Sequence, residues 1–206
     1  MKHRTLWAGL AGTVTATIGV TVWSMHSPPT EPSEAKTTSV KAQSKETDAL
    51  LQSGLQRQMQ QDSAGAAKIY RRVLELDPKA KEAWYRLGLI EQQNGAPLEA
   101  RRDFDKALKI DPSFTSALYS EANMVAASEP DRAIELLTRA VAANPKASVM
   151  QLQLGLLLAK KGDEDEAENA FRQAVAADHH VLPQVPESFR DQVSPAPASS
   201  PARSTE

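Results

Sequence analysis

The 206-residue chain has 41% hydrophobic but only 5% aromatic residues, a composition that favours helices rich in alanine and leucine over β-sheets. Its formal net charge of −2 is too near neutral to indicate nucleic acid as the main partner. The chain contains no cysteine, which excludes thiolate nucleophiles, disulfides and cysteine-ligated metals.

Residues 1–26 have the pattern of a membrane segment. Lys2 and Arg4 precede 21 uncharged residues, and a helix of that length spans roughly 30 Å, the thickness of bilayer hydrocarbon. Trp7 and Trp23 lie near its two ends, where tryptophan is favoured at membrane interfaces. We predict a retained single-pass transmembrane anchor. The alternative is a cleaved secretory signal, although Val-Trp-Ser at 22–24 matches a cleavage site poorly.

The position of the two N-terminal charges predicts the topology. Positive residues directly before a membrane segment favour an N-terminus inside the cytoplasm. The rest of the chain is therefore expected on the extracytoplasmic side, periplasmic or extracellular, either anchored or secreted after cleavage.

Two further segments lack the composition needed to bury a core. Residues 27–45 contain three prolines and several serines and threonines, without an aromatic residue, and are predicted to be a flexible linker. Residues 194–206 contain mainly proline, alanine, serine and arginine without apolar periodicity, and are predicted to be a disordered tail.

Between these segments, one pattern recurs about every 34 residues. Asp77-Pro78 and Asp111-Pro112 are 34 residues apart, and Asn144-Pro145 follows 33 residues later. Small and aromatic residues recur in register with these marks, in an alanine column, a mainly aromatic column, a second small column and a glycine or alanine column. The columns are Ala66, Ala100, Ala133, Ala167; Tyr70, Phe104, Leu137, Phe171; Val73, Ala107, Ala140, Ala174; and Gly54, Gly88, Ala122, Gly155. Such repetition predicts stacked helix pairs, because no single unit can bury its apolar face alone.

This pattern resembles the tetratricopeptide repeat family. The second unit is the fullest match to the family signature, with Trp84, Leu87, Gly88, Ala100, Phe104, Ala107 and Pro112. There are three departures: Glu91 stands where the family usually has tyrosine, the third unit is one residue short, and His179 replaces the closing proline of the fourth unit. The resemblance implies an all-α, right-handed superhelical solenoid over residues 46–180, with four helix-turn-helix repeats at 47–80, 81–114, 115–147 and 148–180.

Helix start and stop signals place two helices in each unit. Asn94-Gly95 is typical of a helix end, and Pro97 is typical of a helix start. The expected helices are approximately Thr47–Gln60, Ala64–Leu76, Lys81–Asn94, Pro97–Ile110, Phe114–Ser128, Asp131–Ala142, Ser148–Lys161 and Asp163–Ala177. Within residues 181–193, a short helix near Glu187–Val193 is expected to cap the exposed end of the last repeat.

Motifs for catalysis or for metal binding are missing from the sequence. The adjacent pair His179-His180 has no third ligand nearby in the sequence. The chain also lacks a glycine-rich phosphate loop, a G-x-S-x-G elbow and an H-E-x-x-H helix. We predict no enzyme activity, no metal and no cofactor. The basic pairs Arg71-Arg72 and Arg101-Arg102 are expected to form surface ion pairs with nearby carboxylates.

In the tetratricopeptide family, the first helix of each unit lines a concave groove, and the resemblance implies the same groove here. Its predicted residues are Leu51, Leu55, Gln58, Tyr85, Leu89, Gln92, Tyr119, Asn123, Ala126, Leu152, Leu156 and Ala159. The basic positions by which some family members hold a chaperone's C-terminal carboxylate are occupied by Tyr85, Tyr119 and Leu152, which disfavours that role. The competing interpretation is that these residues form the core of the stack and bind nothing.

The implied function is a non-enzymatic scaffold or adaptor that binds a protein or peptide segment. By its layout, the chain resembles anchored helical-repeat proteins of bacterial envelope assembly. The alternative is a structural protein that associates with itself through the stack ends or the membrane helix.

Overall fold

The computed structural model describes the backbone of residues 32–194 and the side chains of residues 41–194. Eight α-helices form four successive antiparallel pairs, and a 3-10 helix and a short ninth α-helix follow them. The α-helices are α1 Pro32–Met59, α2 Ser63–Leu76, α3 Lys81–Gln93, α4 Pro97–Ile110, α5 Thr115–Val125, α6 Pro130–Ala143, α7 Ser148–Lys161, α8 Glu164–Ala177 and α9 Glu187–Val193, and the 3-10 helix is His179–Gln184. The predicted all-helical repeat solenoid is confirmed for this part of the chain.

The first helix is longer than the sequence pattern predicted. It begins at Pro32, not near Thr47, so most of the segment predicted to be a flexible linker is helical. Proline is compatible with the first turn of a helix, because its missing N–H has no intrahelical partner there. Gln43 donates a hydrogen bond to the carbonyl of Leu76, which fixes this part of α1 against the end of α2. A composition without aromatic residues excluded a core in this segment, but it did not exclude a helix.

Each helix pair is held together by a close approach between its two helices. The alanine column is fully buried: Ala66, Ala100, Ala133 and Ala167 are all 0% exposed. Opposite it, Gly88 lies so near Phe104 that a Cβ atom placed there would be 2.6 Å from Cε1 of the phenyl ring. Gly54 faces Tyr70 and Gly155 faces Phe171 in the same way. Glycine therefore occurs in this column because the aromatic ring of the partner helix occupies the space that a larger side chain would need.

Three of the turns that end a repeat share a side-chain hydrogen bond. Oδ1 of Asp77 accepts from the backbone N–H of Lys79 at 2.9 Å, and Oδ1 of Asp111 accepts from that of Ser113 at 3.0 Å. Oδ1 of Asp178 accepts from the N–H of His180 at 2.9 Å, although no proline follows this aspartate. The aspartate alone thus closes the turn, and the chain continues into the 3-10 helix.

Three of the four turns within repeats contain a left-handed residue. Gly95 (φ 74°) and Gly162 (φ 95°) provide it after α3 and α7, as the glycine signals predicted, and Gln61 (φ 61°) takes the same role after α1. In the shortened third unit, α5 ends at Val125 and not near Ser128. The N–H of Glu129 then bonds to the carbonyl of Val125 at 2.7 Å, which closes the turn into α6.

The C-terminal segment covers the last repeat. Val185 is 0% exposed and Val181 and Val193 are each 4% exposed, while the Phe189 ring lies 5.1 Å from the Phe171 ring, measured between centroids. The predicted capping helix is therefore confirmed, at the predicted residues Glu187–Val193.

The buried core has two parts along the stack. The first is formed by α2 and α3 and extends from Ala66 to Ile90, and the second extends from Ala107 to Val193. Trp84 packs against both parts. Its indole N–H donates to the carbonyl of Pro78 at 3.0 Å, and the Lys106 ammonium lies 3.8 Å from a ring centroid of the indole.

Within residues 32–194, none of the helices combines the length and the apolar character that crossing a bilayer requires. The predicted membrane segment at 1–26 and nearly all of the predicted tail lie outside the described residues.

Candidate functional site

The residues predicted for the concave groove lie on the first helices of the four repeats, α1, α3, α5 and α7, except Ala126, which caps the C-terminal end of α5. Their exposure differs widely. Leu55 is 39% exposed and Asn123 is exposed, whereas Leu51, Leu89 and Leu156 are half-buried. Gln92, Tyr119, Ala126 and Ala159 are also half-buried. The structure therefore leaves part of an apolar and amide surface accessible along successive helices.

Tyr85 has a structural role in addition to its predicted place in the groove. Its ring is 5.3 Å from the Phe114 ring, edge-on, and 6.0 Å from the Phe104 ring, measured between centroids. The hydroxyl of Ser120 donates to the Tyr85 hydroxyl at 3.5 Å. These contacts place the ring at the junction of the second and third repeats, and only part of it remains accessible. Removing the ring would therefore loosen the stack as well as the groove.

Two predicted groove residues are used inside the stack. Gln58 accepts a hydrogen bond from the Tyr70 hydroxyl at 2.7 Å, which satisfies a tyrosine that is 0% exposed and whose pKa is raised by burial. Leu152 is 2% exposed and belongs to the second part of the core. The expectation that Leu152 lines the groove is therefore not met, because neighbouring helices cover its side chain. For Leu152, the competing interpretation as stack core is the correct one.

The structure contains a buried ion pair, between Glu121 and Arg132, that the sequence pattern did not predict. Glu121 on α5 is 0% exposed, and its Oε1 accepts from Nη2 of Arg132 on α6 at 3.3 Å. Oε2 of Glu121 and Nε of Arg132 are buried without a hydrogen-bond partner. Burial raises the pKa of Glu121, and the Arg132 charge opposes that rise. A sequence signal existed, since Glu121 occupies the position that Leu87 and Leu154 hold in the neighbouring repeats.

Three of the four arginines in the basic pairs on the second helices form ion pairs, two of them with partners other than those expected. Arg72 contacts Glu75 at 2.7 Å within α2, as predicted. Arg71 instead reaches Glu91 on α3 at 3.6 Å, and Arg101 reaches Glu129 at 2.7 Å. Glu91 and Arg71 line a cleft of about 460 Å³ between α2, α3 and α4. Glu91, which stands where the family usually has tyrosine, thus forms an ion pair between the first and second repeats.

Comparisons with known proteins agree with the geometry. The photosystem I assembly protein Ycf3 of Synechococcus sp. (strain CC9902) is 32% identical over 116 residues, which cover 50% of this chain and 67% of that protein. The solved structure of PilF from Pseudomonas aeruginosa superposes with a TM-score of 0.61 at 21% identity, covering 69% of this chain and 65% of that one. YrrB, described as a tetratricopeptide protein with an unusual peptide-binding site, gives a TM-score of 0.59 at 24% identity, covering 71% of this chain and 76% of that one.

The two structural likenesses show the fold alone, and the family follows from the sequence. The tetratricopeptide repeat model matches residues 53–113 and 125–180, which together make up more than half of the chain. The matched residues include the alanine and aromatic columns that form the four helix pairs. The chain belongs to the tetratricopeptide repeat family.

Proposed function

We propose that this protein is a non-catalytic adaptor that holds an extended segment of a partner protein in the concave groove of its repeats. The observation that carries the proposal is the accessible strip of leucine, tyrosine and amide side chains on successive first helices. The rigid helix pairs fix this strip before any partner arrives, which lowers the entropy lost on binding. An assembly protein among the relatives and a peptide-binding protein among the structural neighbours are consistent with such a role.

Asn123 is the residue on which this proposal is tested most directly. It is exposed on α5, and its amide can both donate to and accept from the backbone of an extended peptide. Asn123→Ala should weaken partner binding by about 1–2 kcal/mol and leave the melting temperature unchanged. The matched control is Asn169→Ala, which removes an exposed amide from the second helix α8.

Both variants would be compared by pull-down and by titration with the partner recovered by proximity labelling. If Asn123→Ala lowered thermal stability and bound at full strength, the amide would be structural and the groove hypothesis wrong. The Tyr85→Ala variant is expected to lose binding and stability together, because the Tyr85 side chain packs within the second repeat and contacts Ser120 of the third.

We further propose that the repeats are displayed outside the cytoplasm from the N-terminal segment, in the assembly of an envelope complex. The support is the arrangement of Lys2 and Arg4 before 21 uncharged residues. A reporter fused after Glu206 leaves the helices within residues 32–194 intact, and it should be active only in an assay for extracytoplasmic location. Activity confined to the cytosol would overturn the topology, and recovery of a shortened soluble protein would favour signal cleavage.

Self-association through the stack ends is the second candidate function. It is favoured by Leu55 and Met59 on α1, which are 39% and 79% exposed, and it is opposed at the other end by the C-terminal cap. The molecular mass of the region from Pro32 onward, measured by light scattering, separates the two functions. A monomer supports the adaptor, and a dimer that Met59→Gln dissolves supports self-association.

A further inference from the structure

Charged residues are divided unequally between the first and second helices of the repeats. Among the second helices, α4 carries seven charged residues, α6 four and α8 five. Among the first helices, α1 carries seven and α3 four, whereas α5 carries one and α7 only two, both in its last turn. The face predicted to receive a partner is thus poor in charged residues in the third and fourth repeats, but not in the first two.

Most of the charged residues on α3, α5 and α7 are engaged in ion pairs. Glu121 is fully buried against Arg132 of α6. At the edges of the stack, Lys81 contacts Asp111 at 2.6 Å, and Lys161 contacts Asp131 at 3.1 Å. Glu91 pairs with Arg71 on the side of the second helices.

Uncharged side chains remain on the first helices between these pairs. They are Leu89, Gln92, Tyr119, Asn123, Gln153 and Leu156. Arg86 is the charged neighbour of this set, and its guanidinium carbon lies 5.6 Å from the centroid of the Tyr85 ring. Apart from Arg86, this surface has no charged group that could compensate a charged partner residue for the hydration that the residue would lose on binding. Amide side chains can instead pair with the N–H and C=O groups of an extended backbone, and leucines can contact its apolar side chains.

We infer that the concave groove of the third and fourth repeats selects an extended protein segment free of charged side chains, which it holds by amide-to-backbone hydrogen bonds and aliphatic contacts. This inference rests on the proposed function, and it names the class of partner for the same site. It sets the protein apart from adaptors that hold a terminal carboxylate with basic residues. Binding of such a segment does not depend on ionic strength, because no ion pair forms across the interface.

A peptide library tests the inference with the full-length chain in detergent. Random peptides long enough to span two repeats are displayed, selected on the protein and counter-selected on Asn123→Ala. The expected result is depletion of Asp, Glu, Lys and Arg among the retained peptides. The affinity of a retained peptide should change less than about twofold between roughly 0.05 M and 0.5 M NaCl, over which the screening length falls severalfold.

Arg86→Gln provides the matched variant, because it removes the charge next to the groove and keeps an amide in its place. Peptide binding should be unchanged in this variant. Retained peptides rich in one charge, a loss of affinity of about tenfold at high salt, or loss of binding in Arg86→Gln would each overturn the inference and leave the adaptor function standing. Retention of no peptide at all would overturn both.

Discussion

Gly88 and Phe104 illustrate how single residues decide the spacing of a helix pair. The phenyl ring occupies the space where a Cβ on residue 88 would lie. In the third repeat the equivalent residues are Ala122 and Leu137. The larger alanine in place of glycine is therefore accompanied by a leucine that is smaller than the phenylalanine. The two columns vary together within this one chain, as expected for close-packed interiors.

This matching predicts a non-additive pair of substitutions. Gly88→Ala should destabilise the protein by about 1–3 kcal/mol, because the added methyl group overpacks against the ring. Adding Phe104→Leu should recover part of that loss, since the double variant reproduces the pair of the third repeat, with a coupling energy of about 0.5–3 kcal/mol. Urea unfolding of the two single variants and the double variant gives the coupling. Strict additivity would show that the two side chains do not compete for one space.

The buried carboxyl of Glu121 predicts a pH dependence of stability. Its pKa is raised by burial above its ordinary value of 4.5. A carboxyl with a raised folded-state pKa stabilises the folded state at low pH and loses that contribution as pH rises through the raised value. Lowering the pH from neutral towards the ordinary value should therefore stabilise the wild type relative to Glu121→Gln. The free energy of unfolding of both proteins, measured across this range, gives the difference, and a difference independent of pH would contradict it.

Asp111 provides a control of opposite sign. Hydrogen bonds from Lys81, Ser113 and the Ser113 backbone lower its pKa to about 2. A carboxyl with a lowered pKa stabilises the folded state above its unfolded value and loses that contribution as pH falls through the lowered value. Relative to Asp111→Asn, the wild type should therefore lose stability between its ordinary pKa of 3.8 and a pH of about 2.

At the scale of helices, the sequence predicted those elements that have a strong apolar period and clear end signals. Helices α4 and α7 were predicted at their observed bounds. Pro97 favours the first turn of a helix, and Gly162 favours the position directly after a helix end. The early start of α1 was not predicted, because the first part of this helix is polar and lacks the periodic apolar residues that indicate a helix. In the groove, the repeat columns predicted which helices carry the groove residues, but they did not predict how deeply each side chain is buried. Leu152 and the Tyr85 ring were therefore placed at the surface although they pack inside or between repeats.

The C-terminal cap gives a prediction about one element. Phe189→Ala should lower the free energy of unfolding by about 1–3 kcal/mol, because it removes a ring that packs on Phe171 and leaves apolar surface of α8 open to water. Ser188→Ala, an exposed neighbour on the same helix, should change it by less than about 0.5 kcal/mol. Binding of a hydrophobic dye should rise only in the Phe189 variant. Equal stability of the two variants would mean that α9 does not cap the stack.

For the molecule as a whole, contacts run mainly between neighbours along the chain, as in other solenoids. The two parts of the core meet at Trp84, which packs on both. In such a linear array, unfolding stays cooperative only while the interface between neighbours is strong enough to couple them. Trp84 is therefore expected to couple the N-terminal and C-terminal halves of the stack.

Replacing Trp84 tests that coupling. Trp84→Ala should let the N-terminal half exchange its amide hydrogens at lower denaturant than the C-terminal half, while the wild type exchanges as one unit. Trp84→Leu keeps an apolar side chain at the junction and serves as the control, with an intermediate effect. Coincident exchange of both halves in Trp84→Ala would show that other contacts carry the cooperativity.

The partners in the glycine and aromatic columns always belong to the same repeat: Gly54 with Tyr70, Gly88 with Phe104 and Gly155 with Phe171. A gene segment that encodes one whole repeat therefore encodes both the glycine and the aromatic residue that packs against it. Duplication, deletion or exchange of such a segment leaves every internal match intact and disturbs only the contacts between neighbouring repeats, such as that between Arg71 and Glu91. An array of this kind can change in length over evolutionary time without a simultaneous second mutation elsewhere in the gene.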